Sequence, residues 1–339
     1  MARISLILGV VLLFLVGCRD GGGETAVTEN AYPNGRLLVE TNWLAERVDD
    51  LDNVRIIDMR PPAAYAEAHI PGAVNVPLEA ISANNIPLEF EETAVQEALN
   101  AASLEPAMTA VLYDNLGMMS AARMFWTLEY VGHDDVRVLN GGWNAWLAED
   151  RPTTTEAPQV GSSSYPITLD SDKIATAEEI LGKLDDPNVT LVDARSPQEY
   201  TGEVSYAEQA GHIPGAVNLV WLDALTGGDT VYTTEDDWSA QLRDADVERF
   251  RSAEAIQTLL DERGINPDEE IITYCQTFWR GAHLYFLLRL MGYENVRGYD
   301  GSWAEWGNDP SLPVVTGTEP GEVTTNESGS LGIQGVYNP

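Results

Sequence analysis

Two stretches of this chain repeat each other. Leu191-Val192-Asp193-Ala194-Arg195 leads to His212-Ile213-Pro214-Gly215-Ala216-Val217-Asn218. Ile56-Ile57-Asp58-Met59-Arg60 leads to His69-Ile70-Pro71-Gly72-Ala73-Val74-Asn75. The match continues outward. Ala110-Val111-Leu112-Tyr113-Asp114 aligns with Ile271-Ile272-Thr273-Tyr274-Cys275, and Asn140-Gly141-Gly142-Trp143 aligns with Asp300-Gly301-Ser302-Trp303. A period of about 140–160 residues is a whole domain copied, since solenoid repeats are far shorter.

Within each copy, short apolar runs read as buried strands: Val54–Ile57, Ala110–Tyr113, Thr190–Val192 and Glu270–Tyr274. Helical patterns such as Ala121–Val131 and Gly281–Met291 separate them. Alternating strand and helix predicts two α/β domains, each a mainly parallel sheet flanked by helices. The first is expected over residues 36–150 and the second over 173–310. Residues 151–172, rich in Pro, Thr and Ser, read as the linker, and 311–339 as a polar tail.

The chain has 339 residues, 54 acidic and 19 basic side chains, and a formal net charge of −35. Lys173 and Lys183 are its two lysines. So acidic a surface repels nucleic acid and stays hydrated through self-repulsion. The start reads as an address. A positive Met1–Arg3 precedes the uncharged run Ile4–Val16 and then Leu15-Val16-Gly17-Cys18. That run is too short to span a bilayer, which takes about 20 residues. Leu-Val-Gly-Cys resembles the bacterial lipoprotein box, which implies cleavage before Cys18, lipidation of its thiol, and an exported protein anchored to a membrane face. Residues 19–35 then form a flexible tether reaching on the order of 20–25 Å.

With Cys18 lipidated, Cys275 has no disulfide partner. It follows the strand Glu270–Tyr274 and opens Cys275-Gln276-Thr277-Phe278-Trp279-Arg280 ahead of a helix. Ligands bind beyond the carboxyl ends of strands in such sheets. Inward amides, a helix N-terminus and Arg280 favour thiolate over thiol. The same cradle suits a charged sulfur adduct.

On these marks (Asp-x-Arg, His-Ile-Pro-Gly-Ala-x-Asn and the Gly-x-Trp ends, each present twice) the chain resembles the rhodanese sulfurtransferases in their tandem form over about Asn34–Pro310. The resemblance implies Cys275 as catalytic nucleophile and a silent first copy, with Asp114 in the place of the thiol. It implies thiosulfate or 3-mercaptopyruvate as sulfur donor, a thiol or cyanide as acceptor, and no cofactor or metal. It places the donor against Arg195 and the loop Gln276, Thr277, Phe278, Trp279 and Arg280. The loop departs from the family's Cys-Arg-Lys-Gly-Val-Thr and Cys-Gly-Ser-Gly-Val-Thr patterns. Phe278 and Trp279 replace small residues; they either wall the pocket, receive an organic donor, or pack on the first domain. Arg195 either meets the donor or serves a structural ion pair, as Arg60 must in the silent copy.

His69, His133, His212 and His283 lack metal-ligand spacing, and Trp143, Trp146, Trp303 and Trp306 read as core. Two rival readings remain open. A cysteine phosphatase needs a seven-residue cradle with Arg sixth after Cys, whereas Arg280 is fifth. A non-catalytic, lipid-tethered binding or redox-sensing module would use Cys275 as a reporter thiol.

Overall fold

The computed structural model describes residues 32–81, 90–228, 249–325 and 331–334. The first copy runs β1 (Leu38–Val39), α1 (Thr41–Ala45), β2 (Val54–Asp58), α2 (Pro62–Glu67), β3 (Val74–Asn75), α3 (Glu92–Ala101), β4 (Thr109–Tyr113), α4 (Met119–Tyr130), β5 (Val136–Leu139) and α5 (Gly142–Ala148). The second repeats it: β6 (Ile174–Ala175), α6 (Ala177–Leu181), β7 (Val189–Asp193), α7 (Pro197–Thr201), β8 (Val217–Asn218), α8 (Ala253–Glu262), β9 (Glu270–Tyr274), α9 (Trp279–Leu290), β10 (Val296–Tyr299) and α10 (Ser302–Trp306). A hairpin of β11 (Glu322–Thr325) and β12 (Leu331–Gln334) follows.

Each copy forms a five-stranded parallel sheet, ordered β1-β5-β4-β2-β3 and β6-β10-β9-β7-β8. The two sheets are the tandem α/β arrangement that the repeat implied. β4 and β9 hold the central position. Ala110–Tyr113 and Ile271–Tyr274 are fully buried, as strands covered on both faces must be. Both helices that follow begin two residues earlier than the apolar period suggested, at Met119 and Trp279.

α4 and α9 pack against each other and join the copies. Phe125 meets Phe286 edge-on at 4.9 Å, and Trp126 meets Phe278 edge-on at 4.9 Å. One apolar core runs from Leu112 and Phe125 of the first copy to Ile271 and Phe286 of the second. A helix buried on nearly every face must be apolar all round, and α9 is buried at Gly281–Leu288 and Leu290. Within that contact Arg123 of α4 pairs with Asp300, which follows β10; both are buried.

Linker and tail are one element used twice. Thr154 and His69 exchange backbone hydrogen bonds at 2.9 Å, and Trp146 Nε1 donates to the Pro152 carbonyl at 2.8 Å. Val315 and His212 exchange theirs at 3.0 and 2.8 Å, and Trp306 Nε1 donates to the Pro313 carbonyl at 2.8 Å. The linker therefore straps its own domain instead of hanging free; Tyr165 is buried, and its amide donates to Asn100 Oδ1 at 2.7 Å. Residues 32–35, which composition placed at the end of the expected tether, pack on the second copy. The Tyr32 hydroxyl donates to the Arg251 carbonyl, and Asn34 N–H donates to the Leu290 carbonyl at 3.0 Å. Residues 1–18, including Cys18, and the acidic stretch 235–246 lie outside the described residues. Among the described residues no helix is long and apolar enough to cross a membrane.

Candidate active site

Cys275 lies at the carboxyl end of the central strand β9, and it is 1% exposed. Four residues on, Trp279 starts α9. The turn between them passes through Phe278 in the left-handed conformation, φ +63°. The fold thus aims the first amides of α9 toward the end of β9. Among the described residues no protein acceptor is hydrogen-bonded to the amides of Gln276, Thr277, Phe278, Trp279, Arg280 or Gly281. A helix N-terminus leaves its first amides without an intrahelical acceptor, and here the loop that carries them opens with Cys275.

The first copy shows what such a loop takes. Asp114 follows β4 as Cys275 follows β9. Its Oδ1 accepts from the amides of Leu116 at 2.7 Å and Met118 at 3.0 Å, and its Oδ2 accepts from Ala121 at 2.8 Å. Burial pushes the Asp114 carboxyl up, and the amides of Leu116, Ala121, Met118 and Ser120 pull it back toward the charged form. This loop is one residue longer than the second. Its left-handed residue, Met118 with φ +65°, lies four places after Asp114, whereas Phe278 lies three places after Cys275. The first copy therefore carries its own carboxyl group in a longer loop. The shorter loop holds a sulfur, which argues against the phosphatase reading.

A rhodanese-like domain model matches residues 40–149 and 176–309. The chain belongs to the rhodanese family. The thiosulfate sulfurtransferase of Azotobacter vinelandii is 36% identical over 281 residues, covering 82% of this chain and 96% of that protein. The sulfur carrier protein TtuD of Thermus thermophilus is 33% identical over 303 residues, covering 85% and 99%. Among solved structures, the anaerobic ergothioneine biosynthesis enzyme of Chlorobium limicola, in complex with trimethyl histidine, aligns with a TM-score of 0.72 and 26% identity, covering 84% of this chain and 71% of that one. This rhodanese is a sulfurtransferase enzyme.

The two arginines of the rhodanese site are both engaged. Arg280 forms a fork with Glu199, NH1 to Oε2 at 2.6 Å and NH2 to Oε1 at 2.8 Å. Burial opposes the Arg280 charge, but the Glu199 hydrogen bonds and carboxylate raise it above the ordinary arginine range, with Cys275 and Asp193 adding to the effect. Glu199 is also buried, and Arg280 holds its carboxyl down at about 2. Arg280 thus reaches the thiol as one half of a neutral pair. Arg195, expected at the donor, is 1% exposed. Its guanidinium grips Asp193 through Nε at 3.0 Å and NH2 at 2.6 Å, donates to the Gly211 carbonyl at 2.7 Å, and lies 4.4 Å from the Trp303 ring. Arg60 repeats this set on Asp58, the Ala68 carbonyl and Trp143. Such a shared arrangement braces the turn after β2 and β7. It leaves the Arg195 side chain a poor donor ligand.

Phe278 is likewise withdrawn from any donor. Its ring is fully buried between the copies, where Gly298 of β10 makes room: a Cβ there would sit 2.0 Å from Phe278 Cζ. Only the Phe278 amide faces the loop's task. Trp279 also turns to the first copy, sharing a cavity of about 60 Å³ with Arg60, Leu78, Asp114, Asn115 and Ser120. Both aromatic residues follow the packing alternative. Gln276 and Thr277 are half-buried; Gln276 Nε2 donates to the Tyr206 carbonyl at 3.4 Å.

The histidines serve structure. His69 stacks on Tyr65 at 3.7 Å and His212 on Tyr200 at 3.6 Å, each with Nδ1 on that tyrosine's carbonyl. His133 lies between the Tyr165 hydroxyl and the Met108 carbonyl. Among the described residues no group of three His, Cys, Asp or Glu side chains could hold a metal. Sequence reasoning missed Ser302, whose Oγ accepts the Cys275 N–H at 3.3 Å. Its one signal was the exchange of Gly142 for Ser302 between the aligned Gly141 and Trp143, Gly301 and Trp303.

Proposed function

We propose that this enzyme moves the outer sulfur of thiosulfate to a thiophilic acceptor through a persulfide on Cys275. The Cys275 thiolate attacks the sulfane sulfur. A new S–S bond forms, the bond to the sulfonate sulfur breaks, and sulfite leaves with the electron pair. Cyanide or an organic thiolate then attacks the outer sulfur, and the Cys275 thiolate returns as leaving group. No electrons are needed from outside. This is nucleophilic catalysis in which the protein's main contribution is to stabilise charge on sulfur.

One observation carries this reading. Among the described residues the amides from Gln276 to Gly281 have no protein acceptor, while the matching amides of Leu116, Met118 and Ala121 are taken by an aspartate. A thiolate carrying one more sulfur supplies a negative charge where the first copy has a carboxylate. The thiosulfate donor is supported by the relatives that bear that name. The Arg280–Glu199 pair is neutral as a whole and so does not choose between the two anionic donors, thiosulfate and 3-mercaptopyruvate.

The test is cyanide-acceptor kinetics with thiosulfate and with 3-mercaptopyruvate on wild type and Cys275→Ser. Thiosulfate should be the better donor, and Cys275→Ser should be inactive. Mass spectrometry after donor treatment should find one added sulfur on Cys275. Equal activity of the two proteins, or reversible thiol modification with no transfer, would replace catalysis with the reporter-thiol reading.

The chain's location is proposed from its start: Leu15-Val16-Gly17-Cys18 after an uncharged run supports an exported protein anchored through lipid on Cys18. Labelled fatty acid should enter the wild type and not Cys18→Ser, and the variant should leave the membrane fraction.

A further inference from the structure

The copies differ at a buried position beside the loop. The first has Gly142 and the second Ser302, both with φ +52°. Glycine adopts this left-handed conformation freely, whereas serine is strained in it. A strained residue persists only where its surroundings hold it. The Ser302 side chain is fully buried, and its Oγ donates to the Tyr299 carbonyl at 2.8 Å while accepting the Cys275 amide at 3.3 Å. The next two amides, Trp303 and Ala304, donate to the carbonyls of Cys275 and Gln276, each at 2.9 Å. The start of α10 therefore claims both polar backbone groups of Cys275 and the carbonyl of Gln276. The groups it leaves over are the amides that follow.

This turn is held in its place by the first copy. Asp300, two residues before Ser302, pairs with Arg123 and accepts the Phe90 amide at 2.6 Å. The mirror arrangement supports the silent loop: Asn140, in the place of Asp300, accepts the Phe250 amide of the second copy at 3.2 Å. Each loop's supporting turn is braced from the opposite domain. Arg123, the last brace on the way to Ser302, is on α4, the helix opened by the silent loop.

We propose that Ser302 is a positioning residue for Cys275, and that the silent domain acts in catalysis through it. Ser302 touches no substrate. It fixes the backbone at the head of the loop so that the following amides converge on the charged sulfur. The proposal rests on the Cys275 persulfide reading above. Misplaced amides cost most where charge develops, so the loss falls on turnover more than on donor binding.

Ser302→Gly tests it, because Gly142 holds the same φ in the first copy and the variant keeps the turn without the hydroxyl. The expected result is a kcat lowered about 10- to 100-fold, the range a small misplacement produces. KM for thiosulfate should stay within about twofold and Tm within a few degrees. Persulfide should still form to completion in the mass spectrum, but cyanide should discharge it slowly. Ser302→Ala keeps the Cβ and removes only Oγ; it should show the same split, and it carries the test if the glycine variant does not fold. Wild-type kcat and KM in the serine variants, with Cys275→Ser inactive, would overturn the positioning role alone. An active Cys275→Ser would instead overturn the reading beneath it.

Discussion

Asp114 and Cys275 directly follow the central strands of the two copies, and the Asp114 carboxylate takes up amide hydrogen bonds of the kind that the Cys275 loop leaves open among the described residues. The first loop is thereby filled by its own carboxyl group. The first copy holds its loop with a carboxyl group in the place of the thiol, and the helix behind it, α4, makes the domain contact.

Asp114→Ala strands three amides whose acceptor is buried. An orphaned buried amide costs about 1–3 kcal/mol. Part of that sum returns, because the variant no longer buries a carboxylate. The net expectation is a loss of about 2–4 kcal/mol in urea unfolding, with Asp114→Asn losing less. A loss below about 1 kcal/mol would mean the amides had found other acceptors.

Phe278 sets two effects against each other. Glycine at this position would relieve the left-handed strain, worth about 1–2 kcal/mol. It would also remove a fully buried ring from the pocket made by Trp126 and Gly298, and truncating a buried Phe costs about 3–5 kcal/mol. Packing wins. Phe278→Gly should be destabilised by about 2–3 kcal/mol in equilibrium unfolding. A more stable variant would show the backbone strain to be the larger quantity.

The fold was legible because its marks occur twice. Asp58-x-Arg60 and Asp193-x-Arg195 end one strand in each copy, and the apolar runs that became β4 and β9 have no polar face to hide. The site was legible as to Cys275 and its loop, but side-chain directions were not. Phe278 turns inward because Gly298, on a different strand, vacates the space it fills, and no local pattern carries that. The helices start early because non-glycine residues, Met118 and Phe278, take the left-handed turn that sequence reading reserves for glycine. Glu199 lies four residues from Arg195 in sequence, yet its fork goes to Arg280, while Arg195 closes on Asp193. Spacing alone does not choose between those partners.

The Glu199–Arg280 pair makes stability depend on acid. Arg280 holds the buried Glu199 carboxyl at about 2, against the ordinary value of 4.5. The unfolded chain therefore takes up this proton first. The pair's contribution is complete above about pH 4.5 and is lost as pH falls through about 2, amounting to roughly 3 kcal/mol. Urea midpoints taken between pH 5 and pH 2 should fall steeply in wild type. In Glu199→Gln that part of the slope should vanish, and stability at neutral pH should drop because Arg280 is left buried without its counter-charge.

His283 acts over a higher window. It is fully buried in α9, its ring 5.0 Å from those of Phe250 and Trp221. Burial pushes it from 6.5 down to about 3, against a smaller opposing pull from the Gly117 backbone. Below pH 6.5 the unfolded state binds a proton that the folded state refuses, so stability falls as pH drops from 6.5 toward 3. Above 6.5 the residue contributes no pH dependence. By pH 5 the loss should reach about 2 kcal/mol. His133 and His212, also lowered chiefly by burial, act in the same direction. His283→Phe keeps an aromatic ring between Phe250 and Trp221 and removes the titration. Between pH 7 and pH 5, where Glu199 stays ionised in both states, the variant should lose less stability than wild type by that amount. Parallel curves for the two proteins would mean that His283 is protonated in the folded enzyme, which the apolar surroundings of α9 forbid unless the helix opens.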